Sequence, residues 1–417
     1  MLTARKIIVG VTASIAAYKA ALLVRELVKS GAEVRVVMTP AAAQFVTPLT
    51  LATLSRADVV TDMFPDDPGK GTWHIHLGMW ADAMIIAPAS ANTIAKLAHG
   101  FADNALTSLV LALRAPLLVA PVMDTDMYVH AATQANLEIL RARGVTLVPP
   151  EEGELASGLT GPGRLPDTPV LLEAVATALA PKDLAGRRIV VSAGPTFERL
   201  DPVRYLGNFS SGKMGMALAR AARRRGADVV LVAGPSAEAT PPGVHRVDVT
   251  SADDMRDAVQ AAFTEADAVI MAAAVADFRP AHVATQKIKK DDTSSDAPVL
   301  ELERTTDILA SLGAVKGPRR VIGFALETEN GIENAMRKLA TKQADLIVLN
   351  NAGEPGSGFG SSTNRLTLVG PGHSVQELPL LDKLEAADRI LDRLVAILPQ
   401  AGAGGSASPG ASLGQKS

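Results

Sequence analysis

Twice along this chain a strand, a turn, an amphipathic helix and a second strand follow one another. That repeated order constrains the fold more than any other feature. Residues 6–11, KIIVGV, form a continuous apolar run, as expected of a parallel strand covered on both faces. Ser14 then caps a helix with Ala17, Ala21, Val24 and Val28 on its sheet-facing side; Gly31 ends it and EVRVVMT is the next strand. The order returns at residue 187 with RRIVVSAGPT, a helix in SSGKMGMALARAARRRGA closed by Gly226, and DVVLVAG. Further strands and helices alternate after each start, which predicts an α/β chain of two doubly wound, Rossmann-like domains. Neither half contains G-x-G-x-x-G, so a nicotinamide dinucleotide fold has no support. The expected organisation is a domain over residues 1–180, a linker at 181–186, a domain over 187–400, and a Gly/Ser/Ala-rich disordered tail at 401–417.

Composition narrows the function classes. The 417 residues carry 41 basic and 44 acidic side chains, a net charge of -3, which gives no general attraction to nucleic acid or anionic membrane. Aromatic residues are 3%, too few for extensive base-stacking platforms. There is no cysteine, which excludes disulfides, thiolate nucleophiles and Cys-ligated metals and is compatible with a reducing cytoplasm. No apolar run reaches bilayer-spanning length, and the N-terminus meets a Gly-rich turn too early for a signal-peptide core. The expected location is cytoplasmic.

In open α/β sheets ligands bind at the carboxyl edge of the strands. In the first half that edge offers Gly10, Thr12 and Ser14 in GVTAS, Thr39 after the second strand, and Ser90, Asn92 and Thr93 in PASANT. Three hydroxyl- or amide-bearing loops suit a mononucleotide phosphate, with helix N-termini adding their dipoles. In the second half, GNFSSGKMG reads as G-x-x-x-x-G-K but has Met214 where a P-loop needs a metal-binding hydroxyl. Ser210 or Ser211 would cap the helix, with Gly212 and Lys213 facing a triphosphate and Asn208 beside them. Any metal would then be held by Asp277 or by phosphate oxygens and water. Lys287, Lys289 and Lys290 of KIKK, and the i, i+4 pair Lys338 and Lys342, offer clustered cations.

The ordered stretches GVTASIAAYK, HIHLGMWAD, PASANTIAKLAHG, PVMDTDMY, GPGRLPD, SAGPTFERLDPVRYLGNFSSGKMG, AAAVADFRP and KIKK resemble the bifunctional coenzyme A biosynthesis proteins up to about residue 397. The resemblance implies a flavoprotein-type first domain, an FMN-dependent phosphopantothenoylcysteine decarboxylase. It implies a second domain that is a CTP-binding, Mg²⁺-dependent phosphopantothenate–cysteine ligase. Its partners would be 4'-phosphopantothenate, cysteine and CTP as co-substrate, in a homo-oligomer with flavin at subunit interfaces. Gly10, Thr12, Ser14, Thr39, Ser90, Asn92 and Thr93 would hold FMN. Ser211, Gly212, Lys213, Ala274, Asp277, Lys287, Asp307, Phe324, Lys338 and Lys342 would hold CTP, with Asp277 also the metal ligand. Asn208 would hold an acyl-cytidylate and Lys287 would stabilise its formation. His74 would be the decarboxylase base, while His76 occupies a variable position of the same motif.

Two positions depart from the family pattern. Asp124 stands where the family has an asparagine that binds the substrate carboxylate, and Ser157 where it has a cysteine that donates a late proton. An ionised Asp124 would repel a carboxylate by kcal/mol rather than tenths. Two readings stay open: decarboxylation preserved, or a ligase carrying a flavin-binding but decarboxylation-impaired first domain.

Overall fold

The computed structural model describes residues 2–64, 71–289, 299–327, 329–351 and 360–399. It divides into two compact units, one up to Ala180 and one from Pro181 onward. Lys290 and the tail expected to be disordered lie outside the described residues. No helix among the described residues is long and apolar enough to cross a membrane.

The first unit is a six-stranded parallel sheet in the order β3-β2-β1-β4-β5-β6: β1 Lys6–Val11, β2 Glu33–Met38, β3 Val59–Val60, β4 Ala83–Ala89, β5 Leu117–Pro121 and β6 Thr146–Leu147. Its helices are α1 Tyr18–Lys29, α2 Pro48–Ser55, α3 Trp73–Trp80, α4 Ala91–His99, α5 Ala105–Ala112, α6 Thr125–Val129, α7 Ala131–Ala142 and α8 Thr168–Leu179. A two-stranded antiparallel hairpin, β7 Glu151–Glu154 and β8 Thr160–Arg164, stands apart from the sheet. The unbroken apolar run of β1 has a simple cause. Ile7, Val9 and Val11 pack against Leu23, Val24 and Leu27 of α1, while Ile8 packs on the opposite face with Ile94 and Leu106. Ser14 caps a short 3₁₀ turn, Ile15–Ala17, and α1 begins only at Tyr18. That tighter turn shifts the helical phase, so the fully buried face of α1 is Ala20, Leu23, Val24 and Leu27; the expected Ala21 and Val28 sit at its margin.

The second unit is an eight-stranded sheet in the order β13-β12-β9-β14-β17-β18-β20-β21. Its strands are β9 Arg188–Ala193, β12 Asp228–Ala233, β13 His245–Asp248, β14 Ala268–Met271, β17 Arg320–Glu327, β18 Leu346–Asn351, β20 Leu366–Gly370 and β21 Ser374–Glu377. Short ladders join β10 Glu198–Arg199 to β11 Tyr205–Leu206, β15 Phe278–Pro280 to β16 Leu302–Arg304, and β19 Thr363–Asn364 to β22 Leu381–Asp382. Its helices are α9 Lys213–Arg224, α10 Ala252–Phe263, α11 Ile308–Ala314, α12 Gly331–Thr341 and α13 Lys383–Ile397. Ile189 and Val191 pack on α9 and α13, and Val190 faces α10 and α11. The last two strands of the sheet are antiparallel, an edge the strand–helix alternation does not announce. Residues 181–186 are not a free linker. Leu184 is wholly buried in this core, and Asp183 pairs with the buried Arg225 at 2.5 Å.

Candidate functional site

In the first unit the chain runs outward from β1 to β2 and β3, then returns to β4 on the other side. At such a switch point adjacent loops part and leave a crevice. A cavity of about 490 Å³ opens there, and Ser14, Ser90, Asp124, Leu155 and Arg164 are among the residues lining it. Ser14 Oγ accepts from Ala16 N–H at 3.2 Å, and Ser90 caps α4, accepting from Thr93 N–H at 3.4 Å and donating to Thr93 Oγ1 at 3.2 Å. Both hydroxyls therefore mark positive helix ends at the crevice.

Other residues expected there play different parts. Thr12 is fully buried; its hydroxyl donates to Pro88 O and accepts from Ser90 N–H, each at 2.9 Å. It ties the two loops together instead of facing a ligand. Gly10 lies inside β1, paired with Val37 and Ile86, and a Cβ there would meet Leu106 at 2.9 Å and Ile86 at 3.0 Å. Its lack of a side chain serves packing, not the phosphate approach expected of it. Thr39 follows β2 with its N–H on Val11 O at 3.0 Å, outside the cavity lining, and Asn92 is exposed on the first turn of α4.

His74 starts α3 edge-on to Trp73 and does not line this cavity. Its Nδ1 is buried with no hydrogen-bond partner among the described residues, the kind of orphan that asks for a functional explanation. His76 is exposed. The two departing positions meet: Ser157, in the turn of the β7–β8 hairpin, donates its hydroxyl hydrogen bond to Asp124 Oδ2. The hairpin is seated on this spot by backbone. Met123 N–H donates to Gly163 O at 3.2 Å, and a Cβ on Gly163 would collide with Met123 O.

The second unit switches direction between β9 and β14. Two adjoining cavities, about 450 and 390 Å³, lie at these strand ends and share Ala273, Val275, Asp277, Phe324 and Lys338. The smaller is also lined by Ser211, Gly212, Lys213 and Ala274, the larger by Asp307. The structure thus gathers most of the residues expected at a nucleotide. Neither Ser210 nor Ser211 is the cap of α9. That position is Gly212, left-handed at φ +82°, where a Cβ would also crowd Ser236 Oγ at 2.9 Å. Met214 turns toward the core, with its sulfur accepting from Asn364 Nδ2 at 3.5 Å. The P-loop metal position is therefore a packing position.

The cations differ in setting. Lys338 donates to Phe324 O at 2.8 Å, and burial lowers its pKa in spite of the nearby Glu327, Asp307 and Asp277 carboxylates. Lys342 pairs with Asp307, a partner supplied by another element. Burial raises the Asp307 pKa, but Lys342 and the Ala310 N–H outweigh it and leave the carboxyl below its ordinary value. Lys383, which the sequence reading did not select, is 8% exposed, lines the smaller cavity and donates to Asn364 Oδ1 at 3.4 Å. Lys383 and Asn364 come together through the β19–β22 ladder, which pairs Asn364 with Leu381, so no local pattern marks them.

Asn208 pins its loop: Nδ2 donates to Ala274 O at 2.6 Å and Oδ1 accepts from Ser210 N–H at 3.0 Å. Lys287 is exposed and lines neither cavity, but its neighbour is gripped. Asp201 accepts from Ile288 N–H at 3.1 Å, Arg204 donates to Ile288 O at 2.7 Å, and the two side chains pair at 2.5 Å. The Arg204 guanidinium, with three backbone N–H groups, holds the Asp201 carboxyl well below the usual carboxylate range. A depressed carboxyl pKa contributes stability above the unfolded value of about 4, and that contribution is lost as pH falls toward the folded value. Asp201→Asn is therefore expected to lower the urea midpoint at pH 7, and the difference should shrink below about pH 4 but persist at pH 3, where the folded carboxyl is still ionised. It should also loosen the backbone that Asp201 and Arg204 grip at Ile288, next to Lys287.

Two family models match. One is described as Flavoprotein, over residues 1–180; the other as DNA/pantothenate metabolism flavoprotein C-terminal domain, over residues 184–398. The chain is 43% identical over 406 residues to the coenzyme A biosynthesis bifunctional protein CoaBC of Bacillus subtilis (strain 168), covering 96% of this chain and 99% of that protein. It is 44% identical over 397 residues to the protein of that name from Escherichia coli (strain K12), covering 94% and 97%. A cysteine/cysteine sulfinic acid decarboxylase from an unknown prokaryotic organism is 44% identical over 360 residues, covering 85% and 99%.

Proposed function

This chain belongs to the family of bifunctional coenzyme A biosynthesis proteins, and from that premise we propose that it makes 4'-phosphopantetheine from 4'-phosphopantothenate, cysteine and CTP in the cytoplasm. The second unit ligates and the first decarboxylates. The observation that carries this reading is the presence of separate cavities at the switch points of two sheets, each lined by its own set of loops.

Ligation needs an activated carboxylate, because an amine cannot expel oxide. The 4'-phosphopantothenate carboxylate attacks the CTP α-phosphorus, the bond to pyrophosphate breaks, and cysteine's amine then displaces CMP from the acyl-cytidylate. The start of α9, Lys213 and Lys338 offset the triphosphate's charge, and Lys287 meets the charge that grows as pyrophosphate leaves. Asn208, held between Ala274 O and Ser210 N–H, presents a fixed amide to the acyl-cytidylate. Asp277 lines both cavities, and one carboxylate with phosphate oxygens and water is an ordinary donor set for Mg²⁺.

The first crevice suits FMN: helix starts at Ser14 and Ser90 face it, and the orphaned His74 Nδ1 awaits a partner. When bound, FMN would supply the two-electron oxidation of the substrate thiol that makes CO₂ loss possible and would return both electrons after CO₂ has left. His74 takes the proton that starts this chemistry. Because His74 lies off the cavity of its own chain, we place a second copy beside each crevice, so the working enzyme is a homo-oligomer.

Mass spectrometry of products from all three substrates tests the reading. The expected product is 4'-phosphopantetheine. Accumulation of 4'-phosphopantothenoylcysteine on a yellow protein would favour the ligase-only alternative, and unconsumed CTP would overturn the ligase assignment.

A further inference from the structure

Lys383 sits where elementary electrostatics disfavours a cation. It is the first residue of α13, at the positive end of that helix, and it is 8% exposed. Burial lowers its pKa, nearby Lys213 lowers it further, and Glu238 offsets them only in part. Its backbone N–H donates to Ser362 O at 3.1 Å and its Nζ donates to Asn364 Oδ1 at 3.4 Å. Asn364 Nδ2 in turn donates to Met214 Sδ at 3.5 Å. One amide therefore joins the start of α13 to the start of α9.

The smaller cavity of the second unit gives this arrangement a use. Lys213, Lys338 and Lys383 all line it, together with the first residues of α9. Its acidic groups are Asp277 and Glu327, and Glu327 accepts from Asn334 Nδ2 at 2.9 Å. The larger cavity has a different wall: Phe278, Thr305, Thr306, Ile308 and Leu309 line it and not the smaller one. A flat base fits that apolar, hydroxyl-bearing wall, and a polyphosphate fits the cation-rich one. Asp277 and Lys338 line both cavities, so they fall between the two ends of such a ligand.

We infer that Lys383 binds the β- and γ-phosphates of the nucleotide, the pair that leaves as pyrophosphate, and that Asn364 positions it. This rests on the ligase reading of the second unit. A cation held in a poorly hydrated wall attracts phosphate more strongly than one in water, and the phosphates supply the negative charge that a buried ammonium calls for. Asn364 is uncharged, so it orients the ammonium without neutralising it. Met214 stands where a P-loop has its hydroxyl, and here its sulfur supports the amide that aims Lys383.

Calorimetry on the full chain at fixed Mg²⁺ tests this by comparing CTP with CMP, which lacks the two outer phosphates. Wild type should bind CTP more tightly than CMP. Lys383→Met keeps an unbranched side chain and removes the charge. Its CTP affinity should fall by about 10–10²-fold, the scale of a lost hydrogen bond to a charged group, while its CMP affinity stays within about twofold of wild type. Asn364→Asp should lower the CTP-to-CMP affinity ratio in the same way, because a carboxylate there pairs with Lys383, and it carries the test if the methionine variant does not fold. An unchanged ratio in a folded variant would overturn the role of Lys383. A parallel loss of both nucleotides would make the residue structural and overturn it as well. A wild-type protein that binds neither nucleotide would overturn the ligase reading, and this inference with it.

Discussion

Replacing Lys287 by Gln is expected to stop the pathway before any acyl-cytidylate appears. Pyrophosphate release from CTP in the presence of 4'-phosphopantothenate, measured without cysteine, should fall by about 10²–10³-fold, the usual cost of removing one group aimed at developing charge. CTP binding should survive, because Lys213 and Lys338 remain in the wall of the cavity and Lys287 does not line it. Asn208→Asp should fail one step later. The substituted carboxylate cannot donate to Ala274 O, now 2.6 Å from the Asn208 amide nitrogen, and places a negative charge beside that oxygen. The expected result is one equivalent of pyrophosphate per active site, a trapped cytidylate and little amide product. Normal ligation by both variants would remove Lys287 and Asn208 from the mechanism.

His74→Asn should lower CO₂ release by about 10²–10⁴-fold, the range for losing a general base. The protein should remain yellow, since the helix starts at Ser14 and Ser90 are untouched. The proposed reading assigns ligation to the other unit, so pyrophosphate release in the same preparation serves as an internal control. A variant that decarboxylates at the wild-type rate would show that the buried, unpartnered Nδ1 of His74 has no part in the reaction.

Much of the fold was legible because parallel α/β architecture writes itself locally. KIIVGV and the IVV of RRIVVS are apolar runs because helices cover both faces of the strands, and α1 and α9 are followed by the left-handed Gly31 and Gly226. The errors came where a local signal had more than one structural use. Gly10 resembled a phosphate-loop glycine, yet Leu106 and Ile86 fill the space beside it. Ser210 and Ser211 looked like caps, but the tight start of α9 against Ser236 favours Gly212, which has no Cβ to accommodate. Residues 181–186 read as a linker because Pro and Lys open them, whereas Leu184 is a core residue.

The sequence by itself determined the two βαβ starts, the strand ends at which ligand-binding loops had to lie, and the identity of the groups able to do the chemistry. Periodicity and turn residues act over a few positions, so a linear reading can recover them. Tertiary structure alone decided which distant groups touch: Asp124 with Ser157, Lys342 with Asp307, and Asp201 and Arg204 with the backbone beside Lys287. Those contacts arise from chain crossovers and close backbone packing, which bring together residues whose separation along the chain carries no signal of their meeting.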